Sequence, residues 1–275
     1  MTNRDYTKAS PCFQEQKITA TNAKRLAEEY VQSLRKIRTI QHQFIPQYPI
    51  ILNDYIISSF YRPSYYVSGD LCLYVALGMG KVGVFVVDVI GKGLDASVMS
   101  ICLKHMFQEI LKECHAPKDV MTALNTALCT HVTLGSNSGC GFYGVVDTEN
   151  HILTYCNCGT GVSKLFRANT VTELRDYGGF ILGAVADSFY TEGTIKLKPD
   201  DVIVIATDGL EDVKNRAGKR LGAVWLSSFM MTGRNNNTTG CLSSQIKRAL
   251  HSETDNRSFL EDDIACICIE NKSGR

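Results

Sequence analysis

Apolar residues recur along this chain at two spacings, and the switching between them lays out an order of elements. From about Thr21 the spacing is helical: Leu26, Tyr30, Leu34, Ile37, Gln41 and Phe44 stand three or four apart and form one stripe that stops near Pro46 and Pro49. Strand-like segments follow at Ile50–Leu52, Tyr55–Tyr61, Leu71–Leu77 and Val82–Val89, the last two joined through Gly78-Met79-Gly80. Helices are predicted over Leu94–Cys114 and, with Pro117 in the first turn, Lys118–Val132. After Gly135-Ser136-Asn137-Ser138-Gly139 the strand pattern returns at Phe142–Val146, Ile152–Cys156, Ser163–Arg167, Val171–Leu174, Thr191–Leu197 and Val202–Ala206. Two helices, Ala223–Met231 and Ser243–His251, flank the polar stretch Gly233–Gly240, and Ile264–Ile269 closes the chain as a strand. The links between strands are too short for parallel crossovers, so the sheets should be antiparallel and the domain an α+β layered one.

Three regions result. Residues 1–20 are polar and irregular and should form a tail, 21–46 a regulatory or linker helix, and 47–275 a single domain. The helical stripe has two readings: it packs on its own domain, or it forms a homodimer seam through the 26–44 helix.

Composition narrows the class. A 275-residue chain that is 44% hydrophobic and 21% charged can bury a full core. A net charge of +1 gives no electrostatic footprint for nucleic acid. No apolar run reaches the ~20 residues of a membrane span, and the N-terminus lacks the apolar core of a signal peptide. A cytoplasmic location is expected. The 11 cysteines are odd in number and scattered, which argues for reduced thiols. Cys156/Cys158 and Cys266/Cys268 are spaced to share one face of a strand, not to hold zinc.

The candidate chemistry lies in carboxylates at strand ends. Asp88 ends the apolar run from Val84 and is followed by Gly91-Lys92-Gly93 and a helical pattern. Asp70 follows Ser68-Gly69 ahead of a strand, Asp208 ends Val202–Ala206 beside Gly209, and Asp262-Asp263 precede the final strand. Singly, each reads as a turn or cap residue. Together they suggest a cluster, and carboxylates gathered without basic partners repel unless hard cations sit among them. An all-oxygen donor set suits Mg²⁺ or Mn²⁺, and two such ions can activate water and neutralise phosphoryl charge. Lys92 has two readings, a contact to substrate phosphate or a solvated loop lysine, and it stays outside the catalytic set.

These residues resemble a known family. Val87-Asp88-Val89-Ile90-Gly91-Lys92-Gly93-Leu94-Asp95-Ala96 is similar to the G-D-V-S-G-K-G-x-x-A signature of the SpoIIE/RsbU-like branch of bacterial metal-dependent, 2C-type serine/threonine phosphatases. Ser68-Gly69-Asp70, Leu182-Gly183, Ala206-Thr207-Asp208-Gly209-Leu210-Glu211-Asp212 with Asn215, and Glu261-Asp262-Asp263-Ile264-Ala265 resemble the branch's other motifs in the same order, and Ile40-Gln41-His42-Gln43-Phe44-Ile45-Pro46 resembles the lead-in. The resemblance implies an αββα sandwich, two antiparallel sheets face to face with helices outside and metals at one edge. It implies that Asp88 bridges two Mn²⁺ or Mg²⁺ ions, with the Val89 carbonyl as a further ligand. Asp208 and Asp262 would hold the second ion, Asp70 would bind directly or through water, and Asp263 would stand behind them. The implied chemistry is attack of a metal-activated water on phosphoserine or phosphothreonine, Asp88 and Asp208 being central to it. The implied substrate is a small regulatory phosphoprotein, a STAS-type anti-sigma-factor antagonist. Input is expected from an activating protein or from dimerisation.

The chain departs from the pattern at Val87, Ile90 and Leu71-Cys72-Leu73, and it has Asn157-Cys158-Gly159-Thr160 where N-A-G-H is common. These departures bear on substrate preference and catalytic vigour, and none removes an implied ligand. Two other functions fit less of the pattern: a phosphatase-like regulatory binding module with weak or no turnover, and a two-metal phosphohydrolase acting on nucleotides or nucleic acid.

Overall fold

The computed structural model describes residues 20–131, 138–233, 240–254 and 260–273. Among these residues, eleven strands form two antiparallel sheets. One sheet has the order β1 (Ile50–Leu52), β2 (Tyr55–Arg62), β11 (Ile264–Asn271), β10 (Val202–Ala206), β7 (Val162–Arg167), β8 (Thr170–Glu173). The other has the order β3 (Leu71–Gly78), β4 (Lys81–Val89), β5 (Gly139–Asp147), β6 (Ile152–Cys158), β9 (Gly193–Lys196). Every strand pairing is antiparallel.

The sheets face each other, and both are covered outside by helices, as the resemblance implied. In β10 the residues Ile203 and Ile205 turn to the inter-sheet core while Val202 and Val204 turn to a second apolar cluster. Leu242, Ile246 and Leu250 of α6 (Leu242–Glu253) complete that second cluster. Strands covered on both faces lose the polar–apolar alternation, which explains why β4, β10 and β11 read as continuous apolar runs. Helices α2 (Gly93–Ile110) and α3 (Pro117–His131) cover the other sheet. There Phe107 of α2 stacks on Phe85 of β4 at 4.3 Å between ring centroids.

Observed bounds differ from the sequence reading mainly at ends. Helix α2 stops at Ile110 in a turn instead of continuing to Cys114, β5 begins at Gly139, and β11 runs on to Asn271, which pairs with Tyr55. Helix α5 (Gly222–Ser228) gives way to a π turn over Phe229–Gly233. A four-residue helix, α4 (Gly209–Asp212), went unpredicted because it is shorter than any periodic signal. The predicted tail, Val132 and much of the loops before Gly139 and Gly240 lie outside the described residues.

Helix α1 (Ala20–Phe44) divides its predicted stripe. Leu34 and Gln41 are buried, whereas Leu26 and Tyr30 are 48% and 54% exposed. Gln41 ties the helix to the domain: its Nε2 donates to the Ser68 carbonyl at 2.8 Å and to Ser100 Oγ at 3.0 Å, and its Oε1 accepts the Ser68 N–H at 3.2 Å. Among the described residues every cysteine is a free thiol. The Cys156/Cys158 and Cys266/Cys268 sulfurs lie side by side in the interior, as their spacing predicted, at 3.9 and 4.0 Å. No described helix is long and apolar enough to cross a membrane.

Candidate active site

Strand register brings the carboxylates together in pairs. The β3–β4 hairpin sets Leu71 opposite Val87, which places Asp70 beside Asp88. In the facing sheet, Ala206 lies opposite Cys266, so the chain leaving β10 at Asp208 runs beside Asp262 and Asp263 as they enter β11. Thr207 closes this second junction, its N–H donating to the Ala265 carbonyl and its Oγ1 accepting the Ala265 N–H, both at 3.0 Å. Both pairs sit at the same end of the sandwich.

Glycines let the backbones meet there. A Cβ on Gly209 would lie 1.8 Å from the Asp263 carbonyl oxygen, and one on Gly161 would lie 2.7 Å from the Asp208 nitrogen. Neither position tolerates a side chain without moving the loop that carries a carboxylate.

The electrostatics are those of a cluster short of positive charge. Burial, then the charge of Asp88, pushes the Asp70 carboxyl well above the usual carboxylate range, against a smaller opposing effect of the Thr207 hydroxyl. Burial, then the charge of Asp208, pushes Asp88 up to about 6, with Asp262 and Asp263 adding to it. Asp208 is raised by burial, then by Asp262 and Asp212. The two sheet ends are therefore close enough for their carboxylates to act on one another. Asp70 is 4% exposed, and its Oδ2 is buried with no hydrogen-bond partner. A buried carboxylate oxygen in that position calls for a proton or a cation. The donors are all oxygen, which fits a hard divalent ion. Among the described residues no three acidic, imidazole or thiol side chains enclose a single point. Magnesium needs no such cage, since it usually binds through one or two carboxylates and keeps several waters.

Each residue singled out in the sequence has a distinct place. Asp70, Asp88, Asp208 and Asp262 lie at one end of the sandwich, near enough that the charge of Asp88 acts on Asp70 and those of Asp208 and Asp262 on Asp88. Buried Val89 lies against Gly69, whose Cβ would stand 3.1 Å from the Val89 carbonyl oxygen. Asp263 faces the loop before β3: its Oδ1 accepts Ser64 N–H at 2.6 Å and Ser64 Oγ–H at 2.7 Å, and its Oδ2 accepts Gly69 N–H at 3.2 Å. It braces the segment that delivers Asp70. The turn in place of N-A-G-H is self-contained, with Asn157 Oδ1 accepting the Thr160 N–H at 3.0 Å and its amide donating to Ser163 Oγ and the Leu174 carbonyl.

Two residues make contacts at the site that the sequence reading does not give them. Thr207 ties the two strand ends together, its Oγ1 accepting the Ala265 N–H at 3.0 Å and donating to the Asp263 carbonyl at 3.5 Å, a role hinted at only by its place before Asp208. Lys92, which the sequence leaves as either a substrate-phosphate contact or a solvated loop lysine, donates to Asp262 Oδ2 at 3.1 Å and to the Glu261 carbonyl at 3.0 Å. The Asp262 carboxylate holds its ammonium above the usual lysine range. A polar recess of roughly 450 Å³, lined by Thr160, Gly161 and Arg175 among others, adjoins the Asp208 side through Gly161. A larger groove of about 610 Å³ lies elsewhere, between Phe44, β3 and α2, and none of the five carboxylates lines it.

Comparison with known proteins agrees with this architecture. The solved SiaA-PP2C domain of Pseudomonas aeruginosa superposes with a TM-score of 0.74 at 17% identity, covering 89% of this chain and 98% of that one. The PP2C phosphatase domain of SpoIIE from Bacillus subtilis superposes at 0.66 with 16% identity, covering 78% and 63%. The phosphoserine phosphatase RsbU of Bacillus subtilis is 26% identical over 158 residues, 57% of this chain and 46% of the relative. Protein IcfG of Synechocystis is 23% identical over 208 residues, 66% of this chain and 33% of the relative. The chain thus spans less than half the length of the curated relatives it matches. The family model described as stage II sporulation protein E (SpoIIE) matches residues 78–272, well over half of the sequence. The chain is a member of the SpoIIE family.

Proposed function

We propose that this protein is a metal-dependent serine/threonine phosphatase acting on a small regulatory phosphoprotein. One observation carries the reading: four aspartates from separate segments lie at one end of the sandwich, and the innermost, Asp70, has a buried oxygen with no partner. Similarity to phosphoserine phosphatases supports the choice of substrate group.

Asp88, the Val89 carbonyl, Asp208 and Asp262 would hold two Mn²⁺ or Mg²⁺ ions, with Asp70 bound directly or through water. Bound there, such ions supply an activated water and charge neutralisation for the departing phosphoryl group. The rest falls to the chain. Asp88, facing Asp70 on one side and Asp208 and Asp262 on the other, joins the two sheet ends. Asp263 fixes Asp70 by holding Ser64 and Gly69, and Thr207 holds the β10–β11 junction through Ala265 and the Asp263 carbonyl. Because Asp70, Asp88 and Asp208 hold protons more tightly than free carboxyls do, loading the site releases protons.

The substrate, by family resemblance, is a STAS-type anti-sigma-factor antagonist in partner-switching signalling. Activation would come through a partner protein or through pairing of α1, whose Leu26 and Tyr30 stay exposed. The test is hydrolysis of a phosphothreonine peptide with Mn²⁺, with Mg²⁺ and with chelator, beside Asp208→Asn. Metal-dependent turnover that the substitution abolishes is expected. Absence of both turnover and calorimetric metal binding would sink the reading in favour of a regulatory binding module.

A further inference from the structure

Lys92 stands in the turn between β4 and α2, flanked by Gly91 and Gly93, both at positive φ (119° and 74°). From there its ammonium crosses to the segment before β11, where it meets the Glu261 carbonyl and the Asp262 carboxylate. Its side chain is 67% exposed. Among the described residues it is the one cation paired with any of the five clustered carboxylates, since Lys214 pairs with Glu261, and Arg220 with Asp212 and Glu261. An ion pair this exposed does little to hold a fold together. What it does do is cancel one charge among carboxylates that repel one another. A divalent ion on Asp262 would compete for the same oxygens and repel the ammonium beside them.

We propose that Lys92 is a resident counter-ion of Asp262 that gives up this carboxylate to a divalent metal and turns its ammonium to a phosphoryl oxygen of the substrate. The inference rests on the phosphatase reading above. A four-carbon stem rooted between two glycines supplies the reach and freedom for the exchange. A phosphoryl dianion entering an acidic mouth supplies the new partner, and a charge-assisted hydrogen bond to it is stronger than a neutral one.

The role predicts effects of opposite sign from one substitution. In the 275-residue chain, Lys92→Met should bind Mn²⁺ in calorimetric titration roughly 3- to 10-fold more tightly than the parent, because a competing cation is gone. The same variant should raise KM for a phosphothreonine peptide about tenfold at saturating Mn²⁺, with a smaller change in kcat. Lys92→Arg should keep the parental KM. A lysine that merely supports the loop would lose metal affinity on substitution. Unchanged or weaker Mn²⁺ binding by Lys92→Met, or an unchanged KM, overturns the proposal. The parent chain judges the underlying reading separately: if it binds Mn²⁺ and turns over peptide while Lys92→Met matches it in both, only the role of Lys92 is refuted. If the parent binds no Mn²⁺, the phosphatase reading fails and the role of Lys92 falls with it.

Discussion

Replacing Asp88 by Asn should stabilise the metal-free protein at neutral pH while removing its activity. Burial and the charge of Asp208 place the folded-state pKa of Asp88 at about 6, against 3.8 for a free aspartate. A folded-state value above the unfolded one means that the native state holds the proton more tightly. The associated stability is full below about pH 4 and is lost as pH rises through about 6. At 1.36 kcal/mol per pH unit the interval corresponds to about 3 kcal/mol, and water reaching the half-buried carboxyl reduces it to about 1–2 kcal/mol. Asn keeps the shape without the charge, so the variant should recover that amount at pH 7.5. Urea denaturation in chelator, run on both chains at pH 4 and pH 7.5, reads the effect directly. The midpoint of the variant should exceed the parent's at pH 7.5 and converge on it at pH 4. A variant equal to or less stable than the parent at pH 7.5 would refute the reasoning, because Asp88 would then carry no unrelieved charge. Added Mn²⁺ should raise the parent's midpoint and leave the variant's nearly unchanged.

Asp263→Ala removes the acceptor for Ser64 and Gly69 and should cost about 2–4 kcal/mol by leaving the buried Gly69 N–H and the half-buried Ser64 donors unpaired, read as a lowered urea midpoint. Asp263→Asn, which keeps one carbonyl acceptor, should cost less, and equal losses would show that the brace is not what Asp263 supplies. If α1 pairs two copies of the chain, Leu26→Asp with Tyr30→Asp should shift sedimentation from dimer to monomer without lowering the melting temperature, since both side chains are exposed. A parent that sediments as a monomer at every concentration removes the dimer.

What could be read from the sequence follows from how local its cause is. Strand β4 was legible because both of its faces are covered, leaving a long apolar run that ends at Asp88. The nearness of Asp70 to Asp88 was nearly legible too, since Gly78-Met79-Gly80 closes a hairpin and thereby sets the register. How Asp208 and Asp262 meet that pair was not, because it depends on one sheet stacking over the other, which no spacing encodes; only the resemblance supplied it. Lys92 shows the limit most plainly. Its partners lie far along the chain on a loop of the opposite sheet, so in sequence it looks like any lysine between two glycines. The end of α2 was misplaced because Leu111 and Cys114 continue the apolar spacing after the hydrogen-bonding has passed into a turn.

The bond from Gln41 to Ser68 fixes the rotational setting of α1 against the start of β3. Ser68 lies two residues before Asp70, and both its N–H and its carbonyl are satisfied by that one amide side chain. Turning the helix by a single residue, about 100°, would present Ile40 or His42 in its place. Neither can accept from and donate to one peptide unit as an amide does. The contact therefore works as a detent, with one angular position of α1 that engages the loop carrying Asp70 and neighbouring ones that do not. Amide exchange at Ser68 is its gauge: Gln41→Leu should speed it, while substitutions at the exposed Leu26 should leave it alone.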